Sequence, residues 1–224
     1  MDENLQPGAA LEFVSGDRAM QLLQKAEPFR ELMMYYDCAL QEVRTKFEVL
    51  DREFSVRYKR NPVESIKTRI KQPLSICDKL KRKGLPISLE AVEQNIFDVA
   101  GVRIICSFID DIYALADMFS KQDDITVINV KDYIANPKPN GYRSLHYIVE
   151  VPIFLSDEKR PMKVEVQFRT IAMDFWASLE HKLKYKKNIS DSGPIVQELR
   201  ACSEAIASVD ERMQALHNRI EASE

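Results

Sequence analysis

Apolar and polar positions alternate in two runs, residues 144–154 and 162–169, separated by a polar stretch that ends at Pro161. Alternation built from β-branched and aromatic residues predicts strands, and so short a connection predicts antiparallel neighbours. Side chains two apart share a face of a strand. The second run therefore sets Val164, Val166 and Phe168 on one side and Lys163, Glu165, Gln167 and Arg169 on the other. That polar side is either the solvated face of an antiparallel sheet or the floor of a cleft carrying a base, an amide and two cations.

Elsewhere the spacing turns helical. Leu32, Met33, Tyr36, Leu40, Val43, Phe47 and Leu50 recur at three- and four-residue steps and predict an amphipathic helix to about residue 58. Pro28 predicts a boundary between that helix and an earlier one. Residues 1–16 read as a disordered arm, with Pro7 and Gly8 against any early helix. Ile66, Thr68 and Ile70 alternate with Lys67, Arg69 and Lys71 in a short strand, after which Pro73 opens a helix over 74–82 and Gly84 closes it. Ser88 caps a further helix to 96. Gly101 precedes Val102, Ile104, Cys106 and Phe108, a run apolar on both faces that predicts a central strand.

Asp110 caps the next helix, residues 125–130 predict a third strand, and the loop 132–140 is stiffened by Pro137 and Pro139. Ile171, Phe175, Trp176, Leu179 and Leu183 mark one face of a helix beyond Arg169. Residues 190–193 read as a linker, and Pro194 begins a last helix striped by Leu199, Cys202, Ile206, Val209, Met213 and Leu216. Such a stripe packs on the body or on another subunit. This order predicts an α+β chain, a mixed β-sheet flanked by helices with N- and C-terminal helical extensions.

At 224 residues, 45% hydrophobic and 30% charged, the chain fits one domain with added helices. A net charge of −3 excludes a global field that would draw in nucleic acid. Four cysteines without a CxxC pair argue against a zinc knuckle or disulfide framework and fit reduced thiols. With no leader and no long apolar span in view, a cytoplasmic protein without a membrane partner is expected.

Charge is nevertheless concentrated locally. Between residues 57 and 83 ten lysines and arginines face only Glu64 and Asp78. A charge run is commonly a solvated face, but here cations on a strand precede cations one helical turn apart, Lys79 with Arg82 or Lys83. Those groups can converge on a multiply charged anion, and Ser75 lies in a first turn whose N–H groups suit phosphate. A triphosphate or single-stranded RNA would fit. Asp98, just ahead of the central strand, is either a cap or salt-bridge partner of Arg103, or a Mg²⁺ ligand. Tyr142, on a glycine-containing loop, is a packed turn residue or a stacking platform for a flat base. His181 reads as a surface residue near a helix end.

RIK followed by a Ser–Lys–Arg helix, FDVAGVRI, NGYRSLH and VEVQFRT occur here in an order that resembles the alarmone synthetase family. The likeness runs over residues 61–187, and it is to the small, single-domain members, the GTP pyrophosphokinases of the stringent response. It implies a nucleotidyltransferase-like fold, a catalytic domain over 61–187 between N-terminal helices (17–60) and a C-terminal helix (188–224), and a homo-oligomer, a tetramer. The implied reaction moves the β,γ-pyrophosphate of ATP to the 3′-OH of GDP or GTP. Arg69, Lys71, Ser75, Lys79, Arg82 and Arg103 would then serve ATP, Asp98 and Glu165 would hold Mg²⁺, and Glu165 would activate the acceptor hydroxyl. Tyr142 would stack on guanine, with Lys138, Asn140, His146 and Gln167 at the acceptor. Only three histidines occur and none forms a His–Asp pair, so synthesis without hydrolysis is expected. An ordinary nucleotidyltransferase is disfavoured, because the sequence has neither a Gly–Ser dipeptide nor Asp-x-Asp. An RNA-binding module using the basic segment is the alternative, but it leaves Asp98 and Glu165 without a purpose.

Overall fold

The computed structural model describes the backbone of residues 16–185 and 193–223, and side chains within 26–183 and 193–223. Strand alternation sets its frame. β1 (Val63–Ile70), β2 (Ala100–Cys106), β3 (Thr126–Asp132), β4 (Leu145–Phe154) and β5 (Lys159–Thr170) form one sheet in the order β1-β2-β5-β4-β3. All neighbours are antiparallel except β2 and β5, which run parallel, so the sheet is mixed as expected. Six helices accompany it among the described residues: α1 (Gly16–Tyr58), α2 (Pro73–Arg82), α3 (Leu89–Asn95), α4 (Ile109–Ser120), α5 (Ile171–Tyr185) and α6 (Gly193–Glu221). No described helix is long and apolar enough to cross a membrane.

One face of the sheet is dry. Val102 pairs with Val166 and Ile104 with Phe168, all buried. Helices α1 and α4 cover that face. The Phe47 ring stacks on Phe119 at 4.4 Å and meets Phe168 edge-on at 5.5 Å, an arrangement favoured by the aromatic quadrupole. Leu32, Tyr36, Leu40, Val43 and Leu50 extend this seam along α1. The predicted stripe is therefore core, and α1 is integral to the fold.

Several expectations are corrected. Pro28 lies inside α1 and does not divide two helices. A proline removes one backbone donor, and the packing that begins at Leu32 holds the helix through that gap. Residues 159–161 belong to β5, where Pro161 faces Pro152 directly, so the missing ladder donors fall in a single pair. The start of α4 is capped by Asp111, whose carboxylate accepts from the Phe108 N–H at 3.3 Å, and not by Asp110. Asp111 is fully buried and pairs with Arg60.

The last two helices bury only part of their apolar stripes, Trp176 on α5 and Leu199 with Ile206 on α6. From α5 the chain buries Met173, Asp174, Trp176 and Ala177, leaving Ile171, Phe175, Leu179 and Leu183 exposed. From α6 it buries Leu199, Ser203, Ala207 and Asp210, while Val209, Met213 and Leu216 face outward. Polar anchors add to that apolar contact. Thr170 donates to Asp210 at 2.6 Å, and the Trp176 indole donates to the Leu199 carbonyl at 2.9 Å. Of the expected linker at 190–193 and arm at 1–16, residues 190–192 and 1–15 lie outside the described residues, while Gly193 opens α6 and Gly16 opens α1.

Helix α6 also fixes the loop after β3. Gly141 has φ +89°, and a Cβ there would lie 2.5 Å from Ser203 Cβ and 3.3 Å from Arg200 Cα. The Ser203 hydroxyl donates to the Gly141 carbonyl. Gly141→Ala is expected to destabilise the protein by roughly 2–4 kcal/mol, through backbone strain and overpacking. Equilibrium denaturation checks this, and an unchanged midpoint would contradict the packing of loop on helix.

Candidate active site

The opposite face of the sheet is polar, and its register arranges the chemistry in rows. Gly101 on β2 stands between Arg69 on β1 and Glu165 on β5. The next row runs Lys67, Arg103, Gln167, His146 and Lys131 across all five strands. Because β5 alternates, the same strand that buries Val164, Val166 and Phe168 presents Glu165 and Gln167 here. A groove of about 400 Å³ lies over these rows, lined by Lys67, Arg69, Asp98, Arg103, Glu165 and Gln167. A second, about 560 Å³, shares Arg69 and adds Lys71, Ser75, Asp78, Lys81 and Arg82. The two carboxylates picked out in the sequence therefore share one groove, walled by the early basic segment.

Asp98 is held by lysines and not by Arg103. Its Oδ2 accepts from Lys71 Nζ at 2.9 Å and Lys79 Nζ at 2.8 Å. Burial pushes its carboxyl pKa up, but the hydrogen bonds from Lys79 and Lys71 outweigh burial and hold it below the ordinary carboxylate value. Its other oxygen, Oδ1, is buried without any protein partner. Ile76 and Leu80 bury the inner face of α2, which turns Lys79 toward Asp98. Lys83 leaves the cluster and donates to the Asn95 carbonyl at 3.0 Å.

Glu165 is gripped on both oxygens. His146 Nδ1 lies 3.3 Å from Oε1, and the Gln167 amide donates to Oε2 at 2.9 Å. Burial raises this carboxyl too, and the hydrogen bonds from His146 and Gln167 outweigh it and hold it below its ordinary value. Nε2 of His146 lies 2.8 Å from the Tyr142 hydroxyl. Thus the NGY loop reaches Glu165 through one histidine. Asn140 shapes that loop: Oδ1 accepts from the Tyr142 N–H at 3.3 Å and Nδ2 donates to Glu180 at 3.1 Å. Lys138 Nζ stands 4.4 Å from the Tyr133 ring centre and 4.8 Å from that of Tyr142, within cation–π range. Tyr142 also packs against Trp176, Ala177 and Leu199.

Sequence reasoning missed Asp174. This α5 residue, 7% exposed, accepts from Lys67 at 2.9 Å, Arg103 at 3.2 Å and Arg169 at 2.9 Å. An acidic residue in a first helical turn was its only local signal, and that signal is ordinary. Tyr133, against Tyr142 and His146, was also missed. His181, by contrast, is exposed near the end of α5 as expected.

A mixed sheet whose polar face gathers two carboxylates among lysines and arginines, beside an aromatic loop, defines a nucleotide-handling transferase class. Residues 68–190 match the family model described as the region found in RelA / SpoT proteins, and the chain belongs to that family. It is 43% identical over 195 residues to GTP pyrophosphokinase YwaC of Bacillus subtilis, covering 87% of this chain and 93% of that protein. Small alarmone synthetase 2 from Bacillus subtilis superposes with a TM-score of 0.77 at 42% identity, over 85% of this chain and 98% of that one. Small alarmone synthetase 1 from the same organism, bound to its product pppGpp, gives 0.79 at 33% identity, over 87% and 98%. The same synthetase bound to AMPCPP gives 0.74 at 30% identity, over 88% and 99%.

Gly101 supplies a sharp test of the groove. A Cβ there would lie 3.8 Å from the Arg69 carbonyl and 4.0 Å from that of Glu165, ordinary contacts the fold accommodates. Gly101→Ala is thus expected to keep the melting temperature but weaken binding of a non-hydrolysable ATP analogue roughly tenfold, by intruding on the floor. A thermal melt reads the first and calorimetric titration the second; unaltered affinity would place the nucleotide elsewhere.

Proposed function

We propose that this protein is a GTP pyrophosphokinase: it transfers the β,γ-pyrophosphate of ATP to the 3′-OH of GDP or GTP, releasing AMP and forming the alarmone. One observation carries this reading. Asp98 and Glu165 line a single groove whose walls are Arg69, Lys67 and Arg103, and the relatives of matching length are GTP pyrophosphokinases and small alarmone synthetases.

Pyrophosphoryl transfer asks mainly for positioning and charge neutralisation. Arg69, Lys71, Lys79 and Arg82 hold the ATP phosphates, Ser75 with the first turn of α2 adds donors, and Arg103 borders the adenine. Tyr142 stacks on guanine, and Lys138, Asn140, His146 and Gln167 orient the acceptor and Glu165. As O3′ bonds to the β-phosphorus, the bond from that phosphorus to the oxygen bridging the α-phosphate breaks, and AMP leaves with that oxygen. The proton of the 3′-OH passes to Glu165, which its donors keep ionised.

The donor set fits Mg²⁺. Asp98 Oδ1 is a buried oxygen without a protein partner, and Glu165 lines the same groove. Such an ion takes one or two carboxylates and completes its shell with phosphate and water. When bound, the ion neutralises charge developing on the transferred phosphates.

On this reading residues 61–187 form the catalytic unit, backed by α1 and α6. Self-association into a tetramer, in the cytoplasm, belongs to the same proposal. Its support is the exposed apolar set Ile171, Phe175, Leu179 and Leu183 on α5 with Val209, Met213 and Leu216 on α6.

Purified protein with ATP, GDP or GTP and Mg²⁺ is expected to yield AMP and a 3′-pyrophosphorylated guanosine nucleotide on ion-exchange chromatography; recovery of unchanged nucleotides alone would refute the reading. Glu165→Gln is expected to lower kcat by about 10²–10⁴-fold while ATP binding persists. Light scattering is expected to give a mass above that of the monomer, and Phe175→Glu with Leu179→Glu should shift it to the monomer. A monomeric wild type would overturn the assembly.

A further inference from the structure

Asp174 contributes to neither the proposed base nor the proposed metal site, yet it collects more cations than any other described carboxylate. Its Oδ2 accepts from Lys67 on β1, and its Oδ1 accepts from Arg103 on β2 and Arg169 on β5. Three neighbouring strands thus converge on one side chain. Arg169 is buried, Arg103 is half-buried, and Lys67 reaches in from a more exposed position; desolvating an acid is costly unless the pairing is close.

The two arginines do more than neutralise it. Arg103 Nε donates to the Gln167 side-chain oxygen Oε1 at 3.4 Å, and Arg169 Nη2 donates to the same oxygen at 3.3 Å. With that oxygen engaged by two guanidinium groups, the Gln167 amide must point the other way, where it donates to Glu165. Arg169 Nη2 also donates to the Tyr142 hydroxyl at 2.8 Å. Arg169 itself is 5% exposed, so it has little freedom to find another partner.

We propose that Asp174 is a positioning residue that couples the two nucleotide sites: one carboxylate sets Lys67 and Arg103 beside the donor and, through Arg169, sets Tyr142 beside the acceptor. This rests on the pyrophosphokinase reading for the identity of the two nucleotides. Moving Arg103 toward a bound donor loosens its hold on Asp174 and Gln167, and the freed carboxylate draws Arg169. That shift reaches both Tyr142 and Glu165, so occupancy of one site changes the affinity of the other. Linkage requires the effect to be reciprocal.

The test is binding, measured by calorimetry on the full chain with a non-hydrolysable ATP analogue and GDP. In the wild type, saturation with the analogue is expected to change the GDP dissociation constant by about fivefold or more, and the converse by the same factor. Asp174→Asn keeps the shape and removes the charge. It is expected to weaken both nucleotides and bring the linkage factor close to one, with Asp174→Glu restoring part of it. A purely structural residue would lower the melting temperature and leave the factor intact, which would overturn the proposal. So would weakening confined to one nucleotide. Should Asp174→Asn not fold, Tyr142→Phe cuts the Arg169–Tyr142 hydrogen bond and leaves the route through Gln167; it is expected to reduce the linkage factor severalfold, and an unchanged factor would refute the coupling. Wild-type turnover is assayed in parallel. Its absence would sink the reaction, whereas the linkage is decided by binding alone.

Discussion

The parallel pairing of β2 with β5 is the constraint on which the remainder depends. It places Gly101 beside Glu165 and Arg103 beside Gln167, and on the reverse side Val102 beside Val166 and Ile104 beside Phe168. Core and chemistry are therefore two sides of one register. A slip of one residue would drive Glu165 into the seam of Phe47 and Phe119 and expose Phe168. Burial of that seam, which penalises any such slip, is also what holds the groove residues to their rows.

Around that register the site is built from pairs that satisfy one another. Asp98 takes two lysines, Glu165 takes a histidine and an amide, and Asp174 takes three cations. Such pairing explains how a chain with a dense basic segment keeps those cations ordered. It also separates the two acids: Asp98 retains an oxygen without a protein partner, while Glu165 is bound on both.

Much of this was legible in the sequence where a residue's neighbours along the chain decide its fate. The alternation in β5 and the three-and-four spacing of α1 read correctly because packing follows period there. Glu165 could be picked out because an acid amid strand residues is conspicuous, and Asp98 because it stands just ahead of an apolar strand. Partner choice was not legible: Asp98 chose Lys71 and Lys79 over Arg103 because β1 and α2 bring those lysines alongside. Asp174 was invisible, since its partners lie on three strands distant in sequence. The stripes of α5 and α6 were legible only in part: Trp176, Leu199 and, in part, Ile206 are buried, and the other members face outward for a related reason. Those helices are oriented by Thr170, Asp174, Trp176 and Asp210, and a hydrophobic count cannot weigh such polar anchors.

The lysines at Asp98 are already neutralised before any ligand arrives. A phosphate chain entering the groove must compete with a resident anion, and fewer small ions are condensed on those side chains to be released. Tallying the basic residues along the groove would thus overstate how steeply nucleotide affinity falls with ionic strength.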